Sequence, residues 1–259
     1  MRRRGRLRVF AVPTAALAVY LAAAAYPPIW EAFLGSLFPD ESRLLYERTS
    51  MLGLIGQHLS MVALASVFAI TIGIALGVFV TRPAGKDFFD VVSDLANLAQ
   101  TFPPIAVLTL AIPLLGLGFQ PTVFALAVYG VLPVLQNTIA GIRAVSPEVV
   151  ESARAMGMRP LQVLWRAELP VAAPVIFAGV RVSVIVAVAT ATIGATINAG
   201  GLGGPIISGL ANLDPAVTLQ GGLLAAGLAL ILDGYLAGVE KVLGRTVSTR
   251  ESLVAHRQA

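Results

Sequence analysis

The stretch from Leu95 to Ile142 holds 48 residues without one formally charged side chain. A hydrocarbon core about 30 Å thick is crossed by about 20 helical residues, each rising about 1.5 Å. The run is therefore too long for one span and must turn back once. Its turn signal is Gly116-Leu-Gly-Phe-Gln-Pro121, with helix breakers at both ends. Comparable apolar runs place spans at about 10–26, 55–80, 93–115, 121–142, 173–198 and 217–239. Only 12% of residues are charged and 57% are hydrophobic, whereas soluble domains carry about 25% charged residues. The expected fold class is all-α integral membrane, with about six transmembrane helices. The chain has no cysteine, which removes disulfides and thiolate metal sites. The two histidines, His58 and His256, are too few and too far apart for a metal cluster.

Lys and Arg resist translocation, so their distribution sets orientation. With the N-terminus inside, the cytoplasmic side receives Arg2, Arg3, Arg4, Arg6 and Arg8, then Arg82 and Lys86. It also receives four arginines between residues 143 and 170, and Lys241, Arg245, Arg250 and Arg257 in the tail. Only Arg43 and Arg48 fall outside, and Arg181 lies within the fifth span. The expectation is a multi-pass membrane protein with both termini cytoplasmic. The expected organisation is an arm, first span and periplasmic loop (1–50), a transmembrane domain (51–240) and a cytoplasmic tail (241–259). Scattered basic residues attract anionic lipid, so the net charge of +4 needs no nucleic-acid partner. The first span has a rival reading, because a basic arm, an apolar run and Ala22–Ala25 also describe a signal peptide. The length of the run and the exit at Pro27-Pro28 and Trp30 favour a retained span.

Between the fourth and fifth spans, Arg143 to Pro170 is polar, with four arginines and three glutamates in 28 residues. Ser146-Pro147-Glu148 is a good helix start: a serine cap, proline in the first turn, and an acid at the positive end of the dipole. Gly157 suits a left-handed helix exit. Met158-Arg-Pro160 restarts a second short helix through Arg166, and Pro170 leads into the next span. So short a segment lacks a core of its own, and reads either as a surface gripped by another protein or as a solvated connector.

Glu151-Ser-Ala-Arg-Ala-Met-Gly157, followed by Leu169-Pro170 twelve and thirteen residues after the glycine, resembles the EAA loop of ABC-importer permeases. That signature runs Glu-Ala-Ala, three residues, Gly, nine residues, Ile, one residue, Leu-Pro. Glu151, Ala153, Gly157, Leu169 and Pro170 match it, while Ser152 and Ala167 depart from it. Thr81-Arg-Pro, Gln100-Thr-Phe-Pro-Pro104, Tyr129 to Gln136, Ala178-Gly-Val-Arg181 and Gly200-Gly-Leu-Gly-Gly204 resemble the osmoprotectant branch of these permeases. The resemblance runs from about residue 50 to 240 and implies a type I importer permease (MetI-like) fold. It implies cargo such as glycine betaine, choline or carnitine, and a place as the smaller permease subunit of a heterodimer. Coupling to a separate ATP-binding cassette subunit would pass through Glu151, Ser152, Ala153, Arg154, Gly157, Met158, Leu169 and Pro170. A periplasmic solute-binding protein and a second permease are the other implied partners.

No Gly-x4-Gly-Lys-[Ser/Thr] loop occurs, so this chain lacks that cradle for ATP phosphates. Hydrolysis is expected on the partner, which would hold the MgATP; no cofactor is expected here, and the chain is not expected to be an enzyme. The same machine with another cargo, such as methionine, another amino acid or an anion, stays open at this point. An ion-coupled secondary transporter is disfavoured by the scarcity of mid-span carboxylates and the lack of a clear repeat.

Within the spans, Arg181 and Asp233 are the clearest charges and default functional candidates. They either pair near an inner gate, or Arg181 snorkels to the interface. Gln100, Thr101, Pro103, Pro104, Gln136 and Asn137 are candidates to line the path, although polar side chains between spans often serve as packing glue. Pro103, Pro104 and Pro113 are expected to break the third span and Pro133 the fourth, and freed carbonyls belong where they line protein or a cavity. Gly73-x3-Gly77 and Gly234-x3-Gly238 fit close helix packing. Gly200 to Leu213 reads as a re-entrant helix or gate, or as an ordinary loop.

Overall fold

The computed structural model describes the backbone of residues 2–258 and the side chains of residues 9–244. The basic side chains of residues 2–8 and those after Gly244, used above for orientation, lie outside the described ones. Every regular element among the described residues is helical. α1 (Arg2–Ala25) meets α2 (Pro27–Leu37) at an 82° bend. α3 (Met51–Val80) begins with Ser50, whose Oγ accepts the Gly53 N–H at 3.2 Å. α4 (Phe89–Thr101) and α5 (Pro104–Leu115) follow, and α6 (Phe119–Arg143) returns. α7 (Pro147–Ala155) and α8 (Pro160–Val163) form the polar segment. α9 (Leu169–Ala191), α10 (Gly203–Asn212) and α11 (Pro215–Gln258) complete the chain. Four helices are long and apolar enough to cross a bilayer, and six spans result if each bent pair counts as one.

The centre is a bundle of α3, α6 and α9, where Met61, Val62 and Ala65 meet Leu126, Val188 and Ala191. In lipid, helices associate by close packing rather than by water exclusion, which favours small residues at the contact. Gly73 and Gly77 play that part: a Cβ on either would stand 2.7 Å from Val134 or Thr138 of α6. The second expected glycine pair seats α1 instead. Added at Gly238, a Cβ would come within 2.6 Å of Phe10, and Gly234 faces Pro13. Tyr20 Oη also donates to Leu224 O at 2.9 Å. α1 thus packs along α11.

The break expected at Pro103 and Pro104 forms, but those expected at Pro113 and Pro133 do not, since both prolines lie inside continuous helices, α5 and α6; two further readings are refined. The third span is two half-helices, α4 and α5, meeting at 99°, because Pro103 and Pro104 remove two N–H donors and hold Phe102 extended. The second short polar helix is not separate from the fifth span. Leu164–Glu168 forms a π turn in which the Leu169 N–H bonds Leu164 O, carrying α8 into α9. The wider turn absorbs Pro170, whose ring would clash with a carbonyl four residues back in an α-helix. Finally, Gly200 to Leu213 is no plain loop: α10 buries Gly203, Pro205 and Gly209, the last against Thr218 of α11.

The connections gather at two ends. At one, Arg43 pairs with Asp214 at 3.5 Å, and the Tyr46 N–H donates to Gln220 Oε1 at 3.1 Å. Nearby, Gln57 Oε1 accepts the Gly201 N–H at 3.1 Å. The buried His58 accepts the Leu202 N–H on Nδ1 at 3.3 Å. Because that N–H must donate, Nε2 carries the proton and donates to Val188 O at 2.9 Å. The opposite end carries the 81–88 connection and the polar segment from 144 to 168.

Candidate coupling surface and intramembrane polar sites

The polar segment lies on the bundle with one face down and one face free. Val150 packs with Val145, Leu169, Ala172 and Ile176 in one apolar cluster, and Ala153 is buried. Glu151, Ser152, Arg154 and Gly157 are exposed, Met158 is half-buried, and Leu169 and Pro170 lie half-buried at the base of α9. Met156, Leu161 and Trp165 are 69%, 70% and 68% exposed, an apolar group on the most polar part of the chain. Gly157 has φ +78° with open space around it. Its N–H bonds Arg154 O, and the Met158 N–H bonds Ala153 O, which closes α7 in a Schellman arrangement. Ser146 departs from expectation. Its Oγ donates to Glu148 Oε2 at 2.7 Å rather than capping backbone. The restart is capped instead by Gln162, whose Oε1 accepts the Arg159 N–H at 2.8 Å.

At the α4–α5 bend, Gln100, Thr101 and Pro103 are exposed and Pro104 is half-buried. The bend is clasped by one residue of α6. Tyr129 Oη donates to Phe102 O, and Gln100 Nε2 donates to Tyr129 O at 3.0 Å. One carbonyl freed by the prolines thus has a partner. Gln136 Nε2 stands 3.4 Å from Asn97 Oδ1, while Asn137 Nδ2 turns back to Pro133 O at 2.9 Å. Asn137 therefore bonds within its own helix, packed beside Gly179 of α9, and does not meet the bend. The clasp by Tyr129 escapes sequence reasoning, since it depends on the rotational phase of α6.

Arg181 and Asp233 meet in a fork: Nε to Oδ1 at 2.7 Å and Nη2 to Oδ2 at 2.9 Å. Nη1 also donates to Glu240 Oε2 at 2.9 Å. Pairing, not snorkelling alone, satisfies the guanidinium. Glu240 was absent from the expectation, yet it follows Asp233 by seven residues and so shares its helix face. A second pair joins the α3–α4 connection to the π turn: Arg82 Nη1 stands 2.7 Å from Glu168 Oε2, and the Glu168 side chain is only 9% exposed. Neither Arg82 Nε nor Glu168 Oε2 has a properly aligned hydrogen bond, so the contact is a close ion pair with off-axis N–H direction. Glu168 precedes Leu169-Pro170 at a variable place of the resembled signature, where sequence gave no reason to look.

This geometry, a bundle with a broken span and an exposed polar segment between two spans, has counterparts among known proteins. The family of binding-protein-dependent transport system inner membrane components matches residues 69–241. The chain belongs to that family. Its relatives include the choline transport system permease protein OpuBB of Bacillus subtilis (strain 168), 38% identical over 187 residues, 72% of this chain and 85% of the relative. The carnitine transport permease protein OpuCD of Listeria monocytogenes serotype 1/2a (strain 10403S) is 38% identical over 198 residues, covering 76% and 88%. The osmoprotectant import permease protein OsmY of Salmonella typhimurium is 36% identical over 210 residues, covering 81% and 86%. Among solved structures, a chain of the MetNI methionine ABC transporter in inward-facing conformations superposes with a TM-score of 0.67. It is 23% identical and covers 74% of this chain and 95% of its own; the likeness is one of fold. This inner membrane component is accordingly a permease of the type I importer fold, a transporter subunit and not an enzyme.

Proposed function

We propose that this permease imports osmoprotectants of the glycine betaine, choline and carnitine class, driven by a separate ATP-binding cassette subunit that holds the MgATP. The observation that carries the coupling role is the free face of α7 and α8, where Glu151, Ser152 and Arg154 stand exposed beside Met156, Leu161 and Trp165. That face is continuous with α9 through the π turn, so a push on it acts on a membrane-crossing helix. The cargo class rests on the relatives, which are named for choline, carnitine and osmoprotectant transport. A solute-binding protein delivers cargo at the end that carries α2 and α10, with both termini on the cytoplasmic side. The second permease is a different chain, and the bend at Gln100, Thr101, Pro103 and Pro104 lines the path between the two.

The test is uptake by the reconstituted complex of both permeases, the ATPase and the receptor. ATP-dependent accumulation of labelled glycine betaine or choline is expected; its absence overturns the reading. Replacing Gly157 by Trp should leave insertion intact and uncouple hydrolysis from uptake, because a side chain at φ +78° costs about 1–2 kcal/mol in the helix exit. Normal uptake in that variant would remove the coupling role from this segment.

A further inference from the structure

The α3–α4 connection is a compact knot rather than a slack loop. Arg82 N–H bonds Phe79 O, and Arg82 O receives N–H groups from both Gly85 and Lys86. Gly85 is folded back so far that a Cβ would stand 2.2 Å from Phe79 O. Through the 3₁₀ turn Lys86–Phe88 the knot runs directly into α4. Its Arg82 side chain reaches Glu168 at 2.7 Å, in the π turn at the foot of the polar segment. Among the described residues neither group has another acidic or basic partner, and a buried charge that loses its counter-ion is strongly disfavoured. The two backbones are therefore bound to move together. A second contact acts alongside: the Arg143 guanidinium lies 4.3 Å from the ring centre of Phe89, the first residue of α4. Thus the foot of α4 is held from both flanks of the polar segment, and α4 ends at the clasped bend.

We propose that the Arg82–Glu168 pair is a positioning link that carries movement of the 147–168 segment into α4, and so to the bend at Phe102–Pro104. This rests on the coupling role proposed above. It adds a second route from the ATPase into the membrane, beside the direct continuity with α9. The pair acts through the half-helix it holds.

The measurement is uptake per ATP hydrolysed by the complete reconstituted complex, for Arg82→Glu, Glu168→Arg and the double exchange. Each single reversal should keep receptor-stimulated hydrolysis and lower uptake per ATP by about tenfold, and the exchange should restore most of it. Where a reversal fails to assemble, Arg82→Gln with Glu168→Gln removes both charges and keeps the shape. That double variant should assemble, hydrolyse ATP and show the same loss of coupling. Wild-type uptake per ATP in the assembled single or neutral variants overturns the link. So does an exchange that remains as impaired as the single reversals. If the wild-type complex itself shows no ATP-dependent uptake, the functional reading falls and this link with it; intact wild-type coupling beside unaffected variants removes the link alone.

Discussion

At the scale of single residues, the charges inside the bundle are arranged as counter-ions rather than as isolated groups. Arg181 offers a planar fork that matches the Asp233 carboxylate at two points, with a third donor left for Glu240. Lysine has neither the fork nor the spare donors. All three side chains stay about a third exposed, at 31%, 40% and 34%, so their pairing is worth less than that of a sealed pair. Arg181→Ala leaves two carboxylates on one face of α11 with no cation between them. It should lower the stability of the purified complex by about 1–3 kcal/mol. Arg181→Lys should recover part of this, and Glu240→Gln should cost least, since the fork to Asp233 survives. Thermal unfolding midpoints give the order; a neutral Arg181→Ala would refute the network as a stabilising unit. Arg181 and Asp233 are legible in the sequence because a charge in an apolar run has few reasons to be there. Glu240 was passed over because it sits beyond the apolar core of the sixth span, where a charge looks ordinary.

At the scale of elements, two proline sites with similar warnings in sequence behave differently. Pro103-Pro104 breaks a span outright, since two missing donors cannot be absorbed in one turn, and the chain bends by 99°. Pro170 breaks nothing, because one widened turn at Leu164–Glu168 makes room for its ring. Composition alone does not separate these outcomes; what the flanking helices pack against does. The start of α7 at Pro147 and its exit at Gly157 are local events, readable from the proline and the glycine, although the Ser146 cap is not made. The clasp on the bend is not local, since Tyr129 lies 27 residues from Phe102. Tyr129→Phe deletes the bond to Phe102 O and keeps the Gln100 contact, which uses backbone of residue 129. The loss is expected at about 1 kcal/mol. It should appear as faster hydrogen exchange at amides of residues 99–106, with α3 and α9 unchanged. Unaltered exchange at the bend would mean that the prolines alone fix it.

At the scale of the whole molecule, the fold sorts its connections to two ends, and the basic residues sort them the same way. The end with Arg82, Lys86, Arg143, Arg154, Arg159 and Arg166 is the end that carries α7 and α8. The other end carries α2 and α10, and its loops hold only Arg43 and Arg48. Lys and Arg oppose translocation wherever they lie close to a span, so the orientation proposed above puts the richer end in the cytoplasm. Retention of α1 is an expectation of the same scale. Its Phe10, Pro13 and Tyr20 fill the glycine seam of α11, which a cleaved leader would leave bare to lipid. The chain contains no cysteine, so single cysteines report position without a background. Asp40→Cys and Asn212→Cys lie exposed at one end, and Asp87→Cys and Arg159→Cys at the other. A membrane-impermeant maleimide should label the first two on intact spheroplasts, and the second two only after the membrane is opened. The mass of the labelled chain should include residues 1–25. Labelling of Asp87→Cys from outside would invert the orientation and place the α7–α8 face away from any cytoplasmic ATPase. A chain beginning after Ala25 would instead show that the seam on α11 is filled by something other than α1.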